Sequence, residues 1–361
     1  MTLSVAIVGA GIIGDNHAKA IVRHPELAVT AVVDPDVEAA TRLATWLGET
    51  TGTTPAVYAL SEALTGVDVV VICSPSGTHG ELAEIALAAG AHVVIEKPLD
   101  ASLPAARRLA SVAATAEARG QVVSVVCQHR FDPASVAIAE AVAAGQLGRI
   151  TSAVASVAWW RPQSYYDSAG WRGTWAQDGG GATMNQGVHT VDLLLWLLGR
   201  PVEVYAHTAV LAHERIEVED IAVATVTFAS GALAVLHVTT AAYPGLAVRL
   251  QIHGSEGSAV IHDDQLEYFQ TSSGVTASVP PSEIAGATKP DDAFVLGHLR
   301  QYNDIVDAIT TGRTPGVTVA DALLDVAFAK SMYLSARLGR PIAVDAVLAG
   351  DLDDELLALE T

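Results

Sequence analysis

The chain has 361 residues, with 40 acidic side chains against 20 Lys and Arg, for a formal net charge of −20. That length suits two domains, each with a core of its own. So large an excess of acid repels phosphate backbones and anionic bilayers, which excludes nucleic acid and membrane surfaces as expected partners.

Taken in order, residues 3–8 read as a buried strand, and Gly9-Ala10-Gly11-Ile12-Ile13-Gly14 as a tight turn opening a helix. Residues 29–34 read as a second strand ending in Asp34, 20 residues beyond Gly14. This strand, turn, helix, strand and acid is the dinucleotide fingerprint. Gly9 permits the turn, Gly11 admits a pyrophosphate, Gly14 lets helix and strand pack, and the helix N-terminus faces the anion. Ile12 and Ile13 open that helix. Asp34 is placed to accept hydrogen bonds from the adenosine ribose hydroxyls, and with no arginine directly after it NAD is favoured over NADP.

Strands then alternate with helices to about Cys127: a helix over 37–47, strands at 56–58 and 67–73, a helix to Gly90, and a strand at 92–95. A helix to about Arg119 and a strand at 122–127 complete the series. Such alternation implies right-handed crossovers and a doubly wound parallel sheet, with ligands at the carboxyl ends of the strands. Ser74-Pro75 through His79 and Glu96-Lys97-Pro98 fall at two of those ends. Cys73 and Cys127 each end an apolar run, and two thiols make no disulfide framework, so a reducing cytoplasm is expected. No basic n-region marks a signal peptide.

Beyond Gln128 the pattern changes. A helix over 133–144 leads to a strand at 151–160 and then to short β-patterned runs at 202–210, 221–229, 233–240, 247–253 and 258–262. Turn signals at Ser230-Gly231 and 254–257 separate them, which predicts a mostly antiparallel sheet. Residues 221–248 carry no Asp, Glu, Lys or Arg, yet Ser230-Gly231, His237 and Pro244 fit two strands better than a membrane span. Residues 271–292 read as a long loop, helices follow at 294–310 and 319–338, and the acidic tail 351–361 reads as a surface element. The expected domains are therefore residues 1–127, for the nucleotide, and 128–361, for substrate and oligomer contacts, with the terminal helices able to pack back on the first.

Three stretches carry candidate chemistry. Lys97 at the end of a strand is placed to hydrogen-bond a substrate hydroxyl and stabilise a developing alkoxide, or else it is a surface lysine paired with Glu96. In residues 178–192, glycines form a loop able to lie against a ligand, and a helix starting by Asn185 would set Asn185 and His189 on one face with Asp192 near them. A neutral imidazole suits proton abstraction near neutral pH; a helix cap and a buried structural histidine are the plain alternative. No further His, Cys or Glu cluster stands at ligand spacing, so no metal is expected. Residues 159–175 hold six of the chain's 19 aromatics together with Arg161 and Arg172, and suit either a sugar face or a packing contact.

These residues resemble the Gfo/Idh/MocA family of sugar and polyol oxidoreductases. The resemblance rests on the opening glycines, Ser74-Pro75 through His79, Glu96-Lys97-Pro98, Arg130-Phe131-x-Pro133, Gly180-Gly181, Asn185-x-x-x-His189-x-x-Asp192 and the terminal helix pair. It implies a Rossmann domain followed by an α/β domain whose open sheet makes oligomer contacts, hence a homodimer or homotetramer. It implies NAD held by the glycine turn, Asp34, Ser74, Pro75, His79, Glu96 and Lys97, and a carbohydrate contacted by Arg161, Tyr166, Trp171, Arg172, Asn185, His189 and His298, with Gln301 nearby. Lys97, His189 and Asn185 would be the catalytic set, oxidising a secondary hydroxyl of a pyranose, glycoside, sugar acid or cyclitol, with His189 or Lys97 taking the proton. Inositol dehydrogenases of the family carry Asp where this chain has Asn185. Two rival readings are an NAD-dependent glycoside hydrolase that oxidises transiently and a non-catalytic nucleotide-binding sensor.

Overall fold

The computed structural model describes residues 2–274 and 292–360. The chain divides into two compact units, one of Met1–Asp100, Ala105–Gln128 and Pro290–Ala322, the other of Ala101–Pro104, His129–Lys289 and Leu323–Thr361.

The first unit holds six parallel strands: β1 (Leu3–Val8), β2 (Leu27–Val33), β3 (Ala56–Val57), β4 (Val69–Ile72), β5 (His92–Ile95) and β6 (Val123–Val125). Their order is β3-β2-β1-β4-β5-β6, so chain direction across the sheet reverses between β1 and β4, the crevice in which doubly wound sheets bind ligands. The apolar runs read from the sequence are the buried strands; β4, for instance, is buried at all four positions. Val295, Tyr302, Ile305 and Val306 of the helix Ala293–Thr311 join Ile7, Ala18, Ile21 and Leu43 in one core cluster.

The second unit is built on eight strands: β7 (Ile150–Ala158), β8 (Pro201–Ala209), β9 (Ile221–Phe228), β10 (Leu233–Thr239), β11 (Arg249–Gly254), β12 (Gly257–His262), β13 (Gln265–Thr271) and β14 (Ile342–Ala343). Their order is β13-β12-β11-β7-β10-β9-β8-β14. Every pairing is antiparallel except β10 with β7. The charge-free run is the β9–β10 hairpin, turning at Gly231 with φ 84°. Among the described residues no helix is long and apolar enough to cross a membrane.

The structure adds two elements to these expectations and corrects one. The loop expected from residue 271 is preceded by an unforeseen strand, β13; residues 275–291 of that call lie outside the described residues. The tail is helical over Asp353–Glu360. The helix expected from Asn185 starts later: Ala182–Gly187 is a π-helical turn, and the α-helix runs Val188–Leu198.

Candidate active site

In the first unit, β1 delivers the glycine turn. Gly9 has φ 108°, and a Cβ there would lie 2.6 Å from the backbone of Cys73; a Cβ on Gly14 would lie 2.1 Å from the Gly9 carbonyl. Only glycine fits either place. Around Gly11 the space is open, Ile12 is exposed, and the helix Ile12–Ile21 has no side-chain cap, so its first N–H groups remain available to an anion. Asp34 Oδ2 accepts from Ala10 N at 2.7 Å and Oδ1 from Asp36 N at 2.8 Å. The carboxylate is thus fixed beside the turn, with lone pairs left for ribose hydroxyls. The residues present fit a dinucleotide.

At the end of β4, Ser74 Oγ accepts from Thr78 Oγ1 at 2.7 Å. His79 is buried, its ring nitrogens each 2.8 Å from a carbonyl oxygen, of Pro98 and of Ser74. The ring thus joins the loop after β4 to the one after β5. The Lys97–Pro98 peptide is cis.

Glu96 is not on the surface. It is buried with two histidines: His17 Nε2 lies 3.0 Å and His298 Nε2 3.4 Å from Glu96 Oε1, while Oε2 accepts from Lys97 N at 3.0 Å. His17 Nδ1 lies 2.6 Å from the Tyr302 hydroxyl. Burial pushes His17 below its ordinary value, so it is neutral, accepting from Tyr302 and donating to Glu96. Burial works against a charge on Glu96, but the hydrogen bonds from the two histidines outweigh it and hold the carboxyl well below its usual range. His298, expected at the substrate, donates from Nδ1 to the Phe294 carbonyl at 2.8 Å and is 2 % exposed. Its polar atoms serve the protein interior. Gln301 spends its amide on edge strand β6, donating to Val125 O at 2.7 Å and accepting from Cys127 N at 3.2 Å.

In the second unit, the glycine loop approaches protein more closely than the sequence suggested. A Cβ on Gly180 would meet the Tyr333 hydroxyl at 2.2 Å, and one on Gly181 the Glu219 carbonyl at 1.8 Å. Glu219 accepts from Gly181 N and Thr183 N, both at 2.8 Å, and from the Tyr333 hydroxyl at 3.1 Å. Buried Lys330 donates to Gly179 O at 2.7 Å. These contacts fix the start of the π-turn that carries Asn185, and such turns are frequent at functional sites. Asn185 Nδ2 donates to Asp178 Oδ1 at 3.0 Å, while Asp178 Oδ2 accepts from Gly173 N at 2.6 Å. Asp178 therefore ties the aromatic loop to Asn185.

Asp192 has a basic partner within the second unit. It forms a buried pair with Arg130, whose Nε and Nη2 lie 2.9 and 2.5 Å from Asp192 Oδ1. Beside His189 stands a residue that sequence reasoning missed, His129, with ring centroids 5.0 Å apart, edge to face. His129 Nδ1 lies 2.8 Å from Asp132 and 3.2 Å from Asp264. Burial opposes charge on His129, but hydrogen bonds to the two carboxylates and their charges prevail and push it up to about 10. Asp264 arrives from the edge of the sheet, in the two-residue turn between β12 and β13, where Asp263 and Asp264 have φ of 50° and 66°, values that fit a type I′ turn. Short-range spacing could not reveal this cluster, nor that of His17, Glu96 and His298; each brings ligand-type atoms within 4.8 Å, and hydrogen bonds already join the residues of each.

In the aromatic loop, Tyr166 is buried, with its hydroxyl 2.8 Å from Thr240 Oγ1. Its neighbour Tyr165 is half-buried instead and accepts from Gln186 Nε2 at 3.1 Å. The guanidinium carbon of Arg172 lies 4.5 Å from the half-buried Trp171 ring.

A parallel sheet with a glycine turn at its switch point and an acid fixed beside that turn defines a dinucleotide-binding domain. Residues 3–126 match the model of the oxidoreductase family with an NAD-binding Rossmann fold, and residues 135–260 match the GFO/IDH/MocA C-terminal domain. The chain belongs to the Gfo/Idh/MocA family of oxidoreductases, and its cofactor is NAD. It is 28% identical over 354 residues to inositol 2-dehydrogenase of Rhizobium meliloti, covering 95% of this chain and 100% of that one. It is 25% identical over 357 residues to scyllo-inositol 2-dehydrogenase (NAD(+)) of Bacillus subtilis, covering 94% and 96%. Among solved structures, the WlbA dehydrogenase of Chromobacterium violaceum, in complex with NADH and UDP-GlcNAcA, is 33% identical with a TM-score of 0.82, covering 95% and 96%.

Proposed function

We propose that the chain oxidises a secondary hydroxyl of a pyranose sugar, glycoside, sugar acid or cyclitol to the ketone, reversibly. NAD, when bound, supplies the hydride acceptor at nicotinamide C4. Gly9, Gly11, Ile12, Ile13 and Gly14 hold its pyrophosphate, Asp34 its ribose, and Ser74, Pro75 and Lys97 border it at the ends of β4 and β5; His79 and Glu96 act through those loops. Lys97 donates a hydrogen bond to the substrate oxygen and favours its alkoxide character. His189 takes the hydroxyl proton, and Asn185 orients the sugar.

The observation that carries this reading is the way Asn185 and His189 are held: Glu219 fixes the start of the π-turn that carries Asn185 and runs into the helix of His189, Asp178 fixes the Asn185 amide, and His129 stands against the His189 ring. Similarity to two inositol dehydrogenases and to WlbA supports the substrate range. We further propose a homodimer or homotetramer built through the second unit's sheet and a cytoplasmic site of action. The test is NADH formation across inositols, aldoses, glycosides and sugar acids, with NAD and NADP side by side. Stoichiometric NADH from one class is expected; glycoside cleavage without NADH would defeat the reading.

A further inference from the structure

Tyr165 has two cations at its ring. The guanidinium carbon of Arg161 lies 5.1 Å and that of Arg172 4.4 Å from its centroid. Among the described residues neither arginine has an ion pair, and the Nε of each is buried without a hydrogen-bond partner. The acids around them are committed elsewhere. Asp167 and Glu214 both pair with Arg215, at 3.0 and 3.2 Å. Glu217 accepts from Trp175 N at 3.0 Å, and Asp178 is held by Gly173 and Asn185. A chain with twice as many acids as bases has ample carboxylate to neutralise two arginines, and here it does not.

The pair is also held in place. His213 lies 2.8 Å from the Arg161 carbonyl through Nε2 and 2.9 Å from the buried Asp220 through Nδ1. Tyr165 is bonded to Gln186 and the Arg172–Gly173 segment to Asp178, so both cations stand on the frame that holds Asn185. Planar guanidinium forks with unused donors suit a planar oxyanion.

We propose that Arg161 and Arg172 bind an oxyanion of the sugar, so that this enzyme acts on a sugar acid or sugar phosphate in preference to a neutral pyranose or cyclitol. This rests on the dehydrogenase reading above. The test takes the NAD-loaded full chain and compares D-glucuronate with D-glucose, D-galacturonate with D-galactose, D-glucose 6-phosphate with D-glucose, and myo-inositol alone. NADH formation and the ligand-induced shift in melting temperature are both read.

One charged member is expected to exceed its neutral twin by about a hundredfold in kcat/KM, the scale of two charge-assisted hydrogen bonds. That ratio should fall by at least about tenfold in Arg161→Met and in Arg172→Met, while Arg172→Lys recovers part of it. An unchanged melting shift with NAD alone verifies that the variants fold. A response confined to the 6-phosphate identifies phosphate as the group; one confined to the uronates identifies carboxylate. Inositol or a neutral sugar turned over as well as the charged partners overturns the assignment and leaves the dehydrogenase standing. So does a charged preference that survives both Met variants. Neither NADH nor a melting shift from any member overturns both.

Discussion

Two histidine–carboxylate clusters in this chain use the same groups in opposite proportions. In the first unit one carboxylate, Glu96, serves two rings, His17 and His298, and all three are buried. In the second unit two carboxylates, Asp132 and Asp264, serve one ring, His129, whose side chain is 21% exposed. A single buried acid shared between two rings leaves His17 neutral and works as a brace between the helix after the glycine turn and the strand end before Lys97. Two acids on one ring make a lasting cation. The first arrangement spends electrostatics on position; the second places a charge beside His189.

The largest expected effects come from the groups these clusters support. Lys97→Ala and His189→Ala should each lower kcat by about 10²- to 10⁴-fold, the usual range for loss of acid–base catalysis, with NAD affinity retained. Near-full turnover at neutral pH in His189→Ala would remove it as the base.

Next in size is the brace itself. Glu96→Ala leaves His17 and the Lys97 amide without their acceptor in a dry site, and should cost on the order of 3 kcal/mol in denaturant unfolding. A loss below about 1 kcal/mol would mean that the cluster is not structural. Asp34 makes a control, because its visible bonds run only to backbone N–H groups at the turn. Asp34→Ala should weaken NAD by about tenfold, one lost charged contact, and relax discrimination against NADP. An unchanged ratio of the two coenzymes would refute its ribose role.

The contrast also explains what the sequence disclosed. The strands of the first unit are continuous apolar runs, so their positions follow from the runs alone; the bounds of β5 (His92–Ile95) coincide. The terminal helix Val319–Leu338 was equally legible. Strand β13, Gln-Leu-Glu-Tyr-Phe-Gln-Thr, is polar at an edge and carries no such signal. The π-turn is fixed by Glu219, which lies 36 residues from Thr183, and no local pattern encodes that. Tyr165 and Tyr166 are adjacent and alike; the short helix Gln163–Tyr166 decides which is buried. Lys97, Asn185 and His189 were legible as candidates, whereas Asp178, His129 and Asp264 became visible only once distant strands were paired.

The smallest effect expected is the most specific to the second cluster. If His129 is a cation because two acids hold it, His129→Asn removes a positive charge next to His189 and frees two negative ones. Both changes favour protonation of His189, so the acid limb of the kcat/KM profile should move upward by up to about one pH unit. Stability gives the sign a second check. A ring held up to about 10 when folded, against 6.5 for the free side chain, contributes stability fully present below about pH 6.5. That contribution declines from there and is lost as pH rises through 10. The stability difference between wild type and His129→Asn should therefore be flat at acid pH and shrink steadily toward pH 10. Glu96 carries the opposite sign: its depressed pKa gives stability that is present at neutral pH and lost only in acid, as pH falls through the folded value. One unfolding series against pH thus separates the two clusters. A His129→Asn difference that grew with pH would mean the ring is neutral in the folded protein, and the expected move of the acid limb would fail with it.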